Sequence, residues 1–259
     1  MTKTTAEIDA MREGGAILSR ALAAAAALAI PGKMVKELDA AAEASMRAEG
    51  AEPSFKGYKT AQEDPPFPST VCISVNDEVV HGLGNRALKL KEGDIVGLDI
   101  GCWYKGLCTD MAITVAVGKV SAEAKKLMEV TRAATLAGVQ MAKVGGTIRD
   151  ISVAVESTVT PHNYGIVRAL VGHGVGHKVH EPPHVPNYVD AMYRNNRIVD
   201  GMCLAIEPMV SLGGDYRVKT APDKWAVLTV DGSIAAHFEL TVACTEKGTE
   251  ILTPWPKGF

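Results

Sequence analysis

The chain has 259 residues, with 27 Lys and Arg against 30 Asp and Glu for a formal net charge of −3, and with 47% hydrophobic but only 5% aromatic residues. That is the composition of a soluble globular domain, which excludes disordered and fibrous architectures, and the near-neutral balance supplies no basic stripe for a nucleic-acid backbone or an anionic membrane. Five scattered cysteines (Cys72, Cys102, Cys108, Cys203 and Cys244) with no C-x-x-C pair speak against a disulfide framework or cysteine-ligated zinc and suit reduced thiols.

Apolar side chains at helical spacing run over residues 6–30 until Pro31-Gly32 stops them. The most apolar part, 21–30, has about half the length needed to cross a bilayer. Glu7, Asp9 and Glu13 precede it, where a secretory signal would be basic. A helix packed in water and a cytoplasmic protein are therefore expected. A second helix is predicted from Val35 to about Glu49, closed by Gly50. Rising β-branched content then marks strands at 71–75, 95–100 and 111–117, separated by Gly-rich or charged turns, as in an antiparallel sheet.

Ser121 with Glu123 just inside opens a helix reaching about Met141, and Thr147 with Asp150 three residues on is a capping-box start for another. The order helix, helix, strands thus restarts. The join Pro31-Gly32-Lys33-Met34-Val35 is echoed by Val144-Gly145-Gly146-Thr147-Ile148, with an offset of 114 residues between Gly32 and Gly146. This predicts one domain spanning 1–259 with two similar halves, about 1–120 and 121–259. Strand-like runs follow at 168–172, 202–210, 225–230 and 237–245. The expected fold class is α+β, an antiparallel sheet covered on one face by helices.

Several charged residues interrupt these apolar strands. Asp99 lies in Gly-Asp-Ile-Val-Gly-Leu-Asp-Ile-Gly, and Asp110 opens the next strand eleven residues later, so a hairpin brings the two carboxylates together. Solvated turn acids are the plainer reading, but Asp is disfavoured between apolar strand neighbours. Glu207 in Leu-Ala-Ile-Glu-Pro-Met-Val and Glu239 in Ala-His-Phe-Glu-Leu-Thr-Val are likewise charges among apolar residues, with no Lys or Arg in register to pair with them. Four of the seven histidines fall between Gly172 and His184, where alternating glycines forbid a helix and hence an H-x-x-x-H zinc face. His173 is presented there on its own, and His177 and His184 read as exposed loop residues. One histidine and four carboxylates in one place would carry about four negative charges. Two divalent ions, about 3.5 to 4 Å apart, would balance them.

On these residues the chain resembles the type I class of the methionine aminopeptidase family, whose pita-bread fold is shared with aminopeptidase P and prolidase. The matching stretches are the run from Val71 to Gly82, the strand pair bearing Asp99 and Asp110, the segment from His173 to Pro182, the run from Ala205 to Val210, and that from Phe238 to Glu246. The resemblance implies that Asp99, Asp110, His173, Glu207 and Glu239 hold the metals, with Asp110 and Glu239 bridging. It also implies that His81 and His180 contact the scissile amide, and that Glu207 relays the proton of the attacking water. Phe55, Tyr58, Phe67, Cys72 and Trp225, with His81, are expected to line the methionine pocket, while Val179 stands where a larger apolar residue is common. The family's short Phe-x-Gly-Tyr turn is spread apart here by residues 59–66, which predicts an altered pocket rim.

Only 27 positions separate His180 from Glu207, too few for the helical insertion of the type II class. No zinc-finger or ribosome-binding extension is expected before the first helix, which resembles the short bacterial form. The implied activity is metal-dependent removal of amino-terminal methionine from nascent proteins and peptides, preferring a small second residue. Co, Mn, Fe or Zn would all suit an oxygen-rich shell with one imidazole. The expected partners are amino termini of nascent chains, met by a monomer in at most transient association with the ribosome, with no nucleic acid substrate and no membrane. An Xaa-Pro peptidase of the same fold and a non-catalytic binding module are the rival readings. The first is disfavoured by chain length and pocket residues, the second by the presence of all five ligands.

Overall fold

Thr4 starts the first helix by a reciprocal cap, its hydroxyl accepting from the Glu7 backbone N–H while the Glu7 carboxylate accepts from the Thr4 N–H at 2.7 Å. In the computed structural model, which describes residues 2–259, α1 (Thr5–Ala26) ends four residues short of the expected stop. Tighter turns, Leu28 N to Ala25 O and Ala29 N to Ala26 O at 3.0 Å each, lead it into Pro31-Gly32. Helix α2 (Val35–Ala48) follows, and then the short β1 (Glu52–Pro53), β2 (Val71–Val75) and β3 (Glu78–Val80).

The next two strands are longer than expected. β4 (Ile95–Tyr104) and β5 (Leu107–Ala116) pair from end to end, Ile95 opposite Ala116 and Tyr104 opposite Leu107. The turn between them is the two residues Lys105 and Gly106, with φ of +50° and +79°, the left-handed geometry that suits the twist of a tight hairpin. Helix α3 (Ala122–Met141) is capped by the Ser121 hydroxyl on the Ala124 N–H at 3.1 Å, and α4 (Ile148–Val159) by Thr147 and Asp150, as predicted.

The second half of the chain is built of short strands: β6 (Gly165–Ile166), β7 (Gly172–Gly174), β8 (Glu181–Val185), β9 (Met202–Ile206), β10 (Met209–Ser211), β11 (Val218–Thr220), β12 (Val227–Thr229), β13 (Ala235–His237), β14 (Glu239–Thr245) and β15 (Gly248–Ile251). Here the sequence reading needs correction. The run 168–171 is irregular, and only Gly172 of the expected strand belongs to β7. The run 202–210 is two strands split at Glu207-Pro208, because proline has no N–H to continue a ladder. The run 237–245 is split at Phe238, and 225–230 shrinks to β12.

The main sheet has nine strands in the order β1-β4-β5-β14-β9-β7-β8, with β2 on β4 and β15 on β14, all antiparallel. Side chains alternate across its faces. Leu98, Ile100 and Met111 join Leu18, Leu22, Leu38 and Met46 in a core under α1 and α2. Leu204, Ile206 and Leu240 join Leu127, Ile151 and Val155 in a second core under α3 and α4. Asp99, Asp110 and Glu239 alternate with these core residues and so point to the opposite face of the sheet, where the two cores' strands β5 and β14 pair.

Candidate metal centre and substrate cavity

Asp99 is opposite Ala112 in the β4–β5 ladder and Asp110 opposite Gly101, which makes the two carboxyls diagonal neighbours on one face. They lie within side-chain hydrogen-bonding reach of each other, and the Cys72 thiol reaches Asp99. Glu239 is opposite Ala112 on the other flank of β5. Three carboxyls from three adjacent strands thus meet. The kink that starts β14 is held by side chains. Thr114 Oγ1 donates to His237 O (2.8 Å) and accepts from His237 N (2.9 Å), Thr135 Oγ1 donates to Phe238 O (3.1 Å), and the Trp255 indole N–H is shared between Ala112 O (3.0 Å) and Glu239 O (2.8 Å). Beyond the kink the Thr241 hydroxyl links to Asp110, accepting from its N–H at 3.1 Å and donating to its carbonyl at 2.7 Å.

His173 sits on β7, squeezed between β9 and β8. A Cβ at Gly172 would come within 2.4 Å of Ala205 O and one at Gly174 within 2.5 Å of Pro182 O, so only glycine on both sides lets this strand in. Its Nδ1 is 2.9 Å from Gly174 O, so the nitrogen bearing the hydrogen is fixed and the Nε2 lone pair is left for a cation. Burial pushes its pKa down to about 3, which keeps the ring neutral. Glu207, at the break between β9 and β10, places Oε1 3.3 Å from His173 Nε2 and Oε2 3.6 Å from His237 Nε2.

Asp110, His173 and Glu239 each bring one donor atom to within 4.8 Å of the other two. Asp99 and Glu207 flank this trio in the same cavity. One oxygen each of Asp99, Asp110 and Glu239 is buried without a hydrogen-bond partner, and among the described residues no Lys or Arg pairs with any of the four acids. Burial, reinforced for three of them by the neighbouring carboxylates, raises every one: Asp99 to about 7, Glu207 to about 8, Asp110 and Glu239 well upward. Buried acids with unmatched oxygens beside an imidazole lone pair form a donor set fit for hard or borderline divalent cations.

A cavity of about 90 Å³ joins this cluster to an aromatic wall, and all twelve side chains singled out in the sequence line it. Phe67 and Trp225 meet edge to face, with centroids 5.2 Å apart. Phe55, Tyr58 and Cys72 complete the wall, and the buried Val179 packs beneath Phe55 and Tyr58. His81 adopts φ of +60°, a sparsely populated conformation for a residue with a Cβ, at the turn where Gly82 O returns to accept from Ile73 N at 2.8 Å. Burial lowers its pKa to about 4, with the His180 and His237 charges acting in the same direction. His180 stands at the mouth, its ring 4.5 Å from that of His173.

The sequence reading passed over three features. Thr60, on the inserted segment, lines the cavity. His237 lies two residues before Glu239 and faces Glu207. The segment bearing His180 is tied down by a fully buried ion pair between Lys3 and Glu181 at 2.7 Å. His237 stood within an apolar strand, the same signal that marked Glu239.

The model of metallopeptidase family M24 matches residues 9–246 of the chain. A methionine aminopeptidase of Clostridium acetobutylicum is 43% identical over 251 residues, 97% of each chain. The crystal structure of methionine aminopeptidase from Thermotoga maritima superposes with a TM-score of 0.90 at 40% identity, covering 98% of both chains. An Xaa-Pro dipeptidase from Bacillus anthracis shares the fold at a TM-score of 0.78 and 25% identity, and the chain covers only 63% of it.

Proposed function

This chain belongs to metallopeptidase family M24, and from that membership and its cavity we propose that it hydrolyses the amino-terminal methionine from peptides and nascent proteins, with preference for a small second residue. The observation that carries the reading is the meeting of three buried carboxyls and the partly buried Glu207, none with a Lys or Arg partner among the described residues, on one imidazole whose Nδ1 is already engaged. An Xaa-Pro activity is not favoured, since identity to that branch falls to 25% against 43% for a methionine aminopeptidase.

We assign Asp99, Asp110, His173, Glu207 and Glu239 as the residues that would hold two divalent ions, of Co, Mn, Fe or Zn. Such ions, when bound, would supply a deprotonated water near neutral pH and polarise the scissile carbonyl. Glu207 accepts the proton of the attacking water and returns it to the leaving amine. In the absence of cations burial already holds its carboxyl at about pKa 8, so a proton on Glu207 is tolerated in this site. His81 and His180, both pushed below the ordinary imidazole value by burial, are neutral donors at neutral pH and stabilise charge developing on the amide.

Phe55, Tyr58, Phe67, Cys72 and Trp225 bury the unbranched methionine side chain, and a free substrate amino group is required for docking at the cluster. We take residues 1–259 as a single catalytic domain, with halves about 1–120 and 121–259 that meet where β5 pairs with β14. Among the described residues no helix is long and apolar enough to cross a membrane, in keeping with action on nascent chains in the cytoplasm.

The test is release of free methionine from Met-Ala-Ser, beside release of the first residue from an Ala-Pro peptide, with Mn²⁺ or Co²⁺ added and then chelated. Chelator-sensitive cleavage of Met-Ala-Ser alone is expected. Cleavage of the proline peptide instead would move the chain to the Xaa-Pro branch, and cleavage of neither with metal bound would leave a binding module.

A further inference from the structure

We propose that His237 is a positioning residue that holds the Glu207 carboxylate by donating a hydrogen from Nε2 to Oε2. The inference rests on the reading of Glu207 as a cation ligand and proton carrier. His237 closes β13 and is 2% exposed. Its backbone is pinned from both sides, its N–H on Thr114 Oγ1 at 2.9 Å and its carbonyl under the same hydroxyl at 2.8 Å. Opposite it in the ladder stands Met209, two residues after Glu207. The imidazole therefore has a fixed root and little freedom to turn away.

Nε2 of this ring is buried without a hydrogen-bond partner, and its nearest acidic neighbour is Glu207 Oε2 at 3.6 Å. An unmatched buried polar atom is costly. The separation is about 0.6 Å beyond an ordinary N–H···O bond, a gap that a rotation of the carboxylate would close. The other imidazole on Glu207 cannot do this work. His173 engages Nδ1 with the Gly174 carbonyl, so its Nε2, 3.3 Å from Oε1, presents a lone pair and has no hydrogen to give. Glu207 thus lies between one imidazole that offers a cation ligand and one that offers a donor. With Oε2 held by His237, Oε1 is turned to the cations and to the water whose proton it takes.

The experiment is calorimetric titration of the metal-free protein with Mn²⁺ at pH 7.5 for wild type, His237→Leu and His237→Gln, together with thermal unfolding of each metal-free form and steady-state cleavage of Met-Ala-Ser. Outer partners of metal ligands are worth about ten- to a hundredfold in affinity, and that loss is expected in His237→Leu, with kcat falling more than KM rises. The metal-free Leu variant is expected to stay folded at the assay temperature, because leucine keeps this buried site filled while only the one hydrogen bond to Glu207 is lost. His237→Gln, whose amide also carries N–H, is expected to recover most of the affinity. If the Leu form does not fold, His237→Asn, whose amide stops short of Glu207, takes its place in the comparison. Equal Mn²⁺ affinity in wild type and the Leu variant overturns the inference, as does a Gln variant no better than Leu with both destabilised when metal-free. A wild-type protein that takes up no Mn²⁺ overturns the metallopeptidase reading, and this inference with it.

Discussion

Tyr58 Oη lies 2.8 Å from His180 Nδ1, and this contact decides which nitrogen of the histidine carries the hydrogen. Burial raises the phenol above its ordinary pKa, so Tyr58 keeps its proton and donates it. Burial also lowers His180, so its ring is neutral and accepts at Nδ1, which leaves the hydrogen on Nε2. A residue counted as pocket wall therefore also sets the donor state of its neighbour. Tyr58→Phe keeps the ring and removes the hydroxyl. With a hydrogen bond worth about 1 kcal/mol, kcat on Met-Ala-Ser is expected to fall roughly five- to tenfold, with Mn²⁺ content by atomic emission unchanged. A kcat equal to that of wild type would mean that the tautomer is set elsewhere.

The four buried acids give the metal-free protein an unusual dependence on pH. Their folded pKa values, about 7 for Asp99, about 8 for Glu207 and well raised for Asp110 and Glu239, lie above those of an unfolded chain. The folded state then binds more protons than the unfolded one, so the stability these groups contribute is present in acid and lost as pH rises through about 7 to 8. His81 at about 4 and His173 at about 3 act in the opposite sense: their contribution is complete above the ordinary imidazole value and lost as pH falls towards 4 and 3. Above about pH 6.5 the acids dominate, and the five buried thiols, all raised by burial, add a loss of the same sign as pH nears the ordinary thiol value. The melting temperature in chelator is therefore expected to drop between pH 6.5 and 8.5. With saturating Mn²⁺, cations take the place of those protons and the drop should shrink to what the buried thiols contribute. Differential scanning calorimetry at five pH values decides it, and a chelated protein whose melting temperature is flat or rising over this range would show that the four acids are not packed together when metal-free.

What the sequence made legible follows from where charge sits in an apolar pattern. Asp99, Asp110 and Glu239 were readable because each breaks a strand whose neighbours must face the helices, and the caps at Ser121 and Thr147 were readable because caps are local. The hairpin turn at Lys105-Gly106 was not, since a Lys at φ of +50° carries no strong local preference. Nor was the break at Phe238, which depends on a group distant in the chain, Thr135 Oγ1, donating to Phe238 O at 3.1 Å. The break at Glu207 has a local signal in Pro208, and Asn187 Nδ2 then donates to the freed Glu207 O at 3.1 Å. Both satisfy carbonyls that a continuous ladder would have used. The Lys3–Glu181 pair is illegible for a related reason, because its meaning lies in a partner that only the fold supplies, whereas His237 carries the signal of a polar group in an apolar strand and only its partner Glu207 needs the fold.

The inserted segment 59–66 is closed at its neck by Gly57 N to Phe67 O and Phe67 N to Tyr58 O, both 2.8 Å, so the loop is spliced into the aromatic wall without displacing Tyr58 or Phe67 from the cavity. Inside it, the Asp64 carboxylate accepts from Ala61 N at 2.9 Å and from the Thr60 hydroxyl, and Lys59 Nζ donates to Gln62 O at 3.2 Å. These bonds hold Thr60 at the rim, the one cavity-lining residue that the insertion contributes. Thr60 also borders the wider groove that runs past His81 and His180 to Leu170 and Met209, along which a substrate's second and later residues would extend. Replacing 59–66 by a two-residue link changes the loop-closure entropy by about 1 kcal/mol, which leaves folding nearly intact. The residues proposed to hold metal stand on β4, β5, β7, β14 and the β9–β10 break, none of which the loop touches through the hydrogen bonds named above, so Mn²⁺ stoichiometry should be unchanged. The expected effect is on selectivity, a severalfold shift in the ratio of kcat/KM between Met-Ala-Ser and Met-Leu-Ser as the rim opens. A ratio equal to that of the full-length loop would place Thr60 off the substrate's path, and loss of bound Mn²⁺ would make the loop a support of the metal centre.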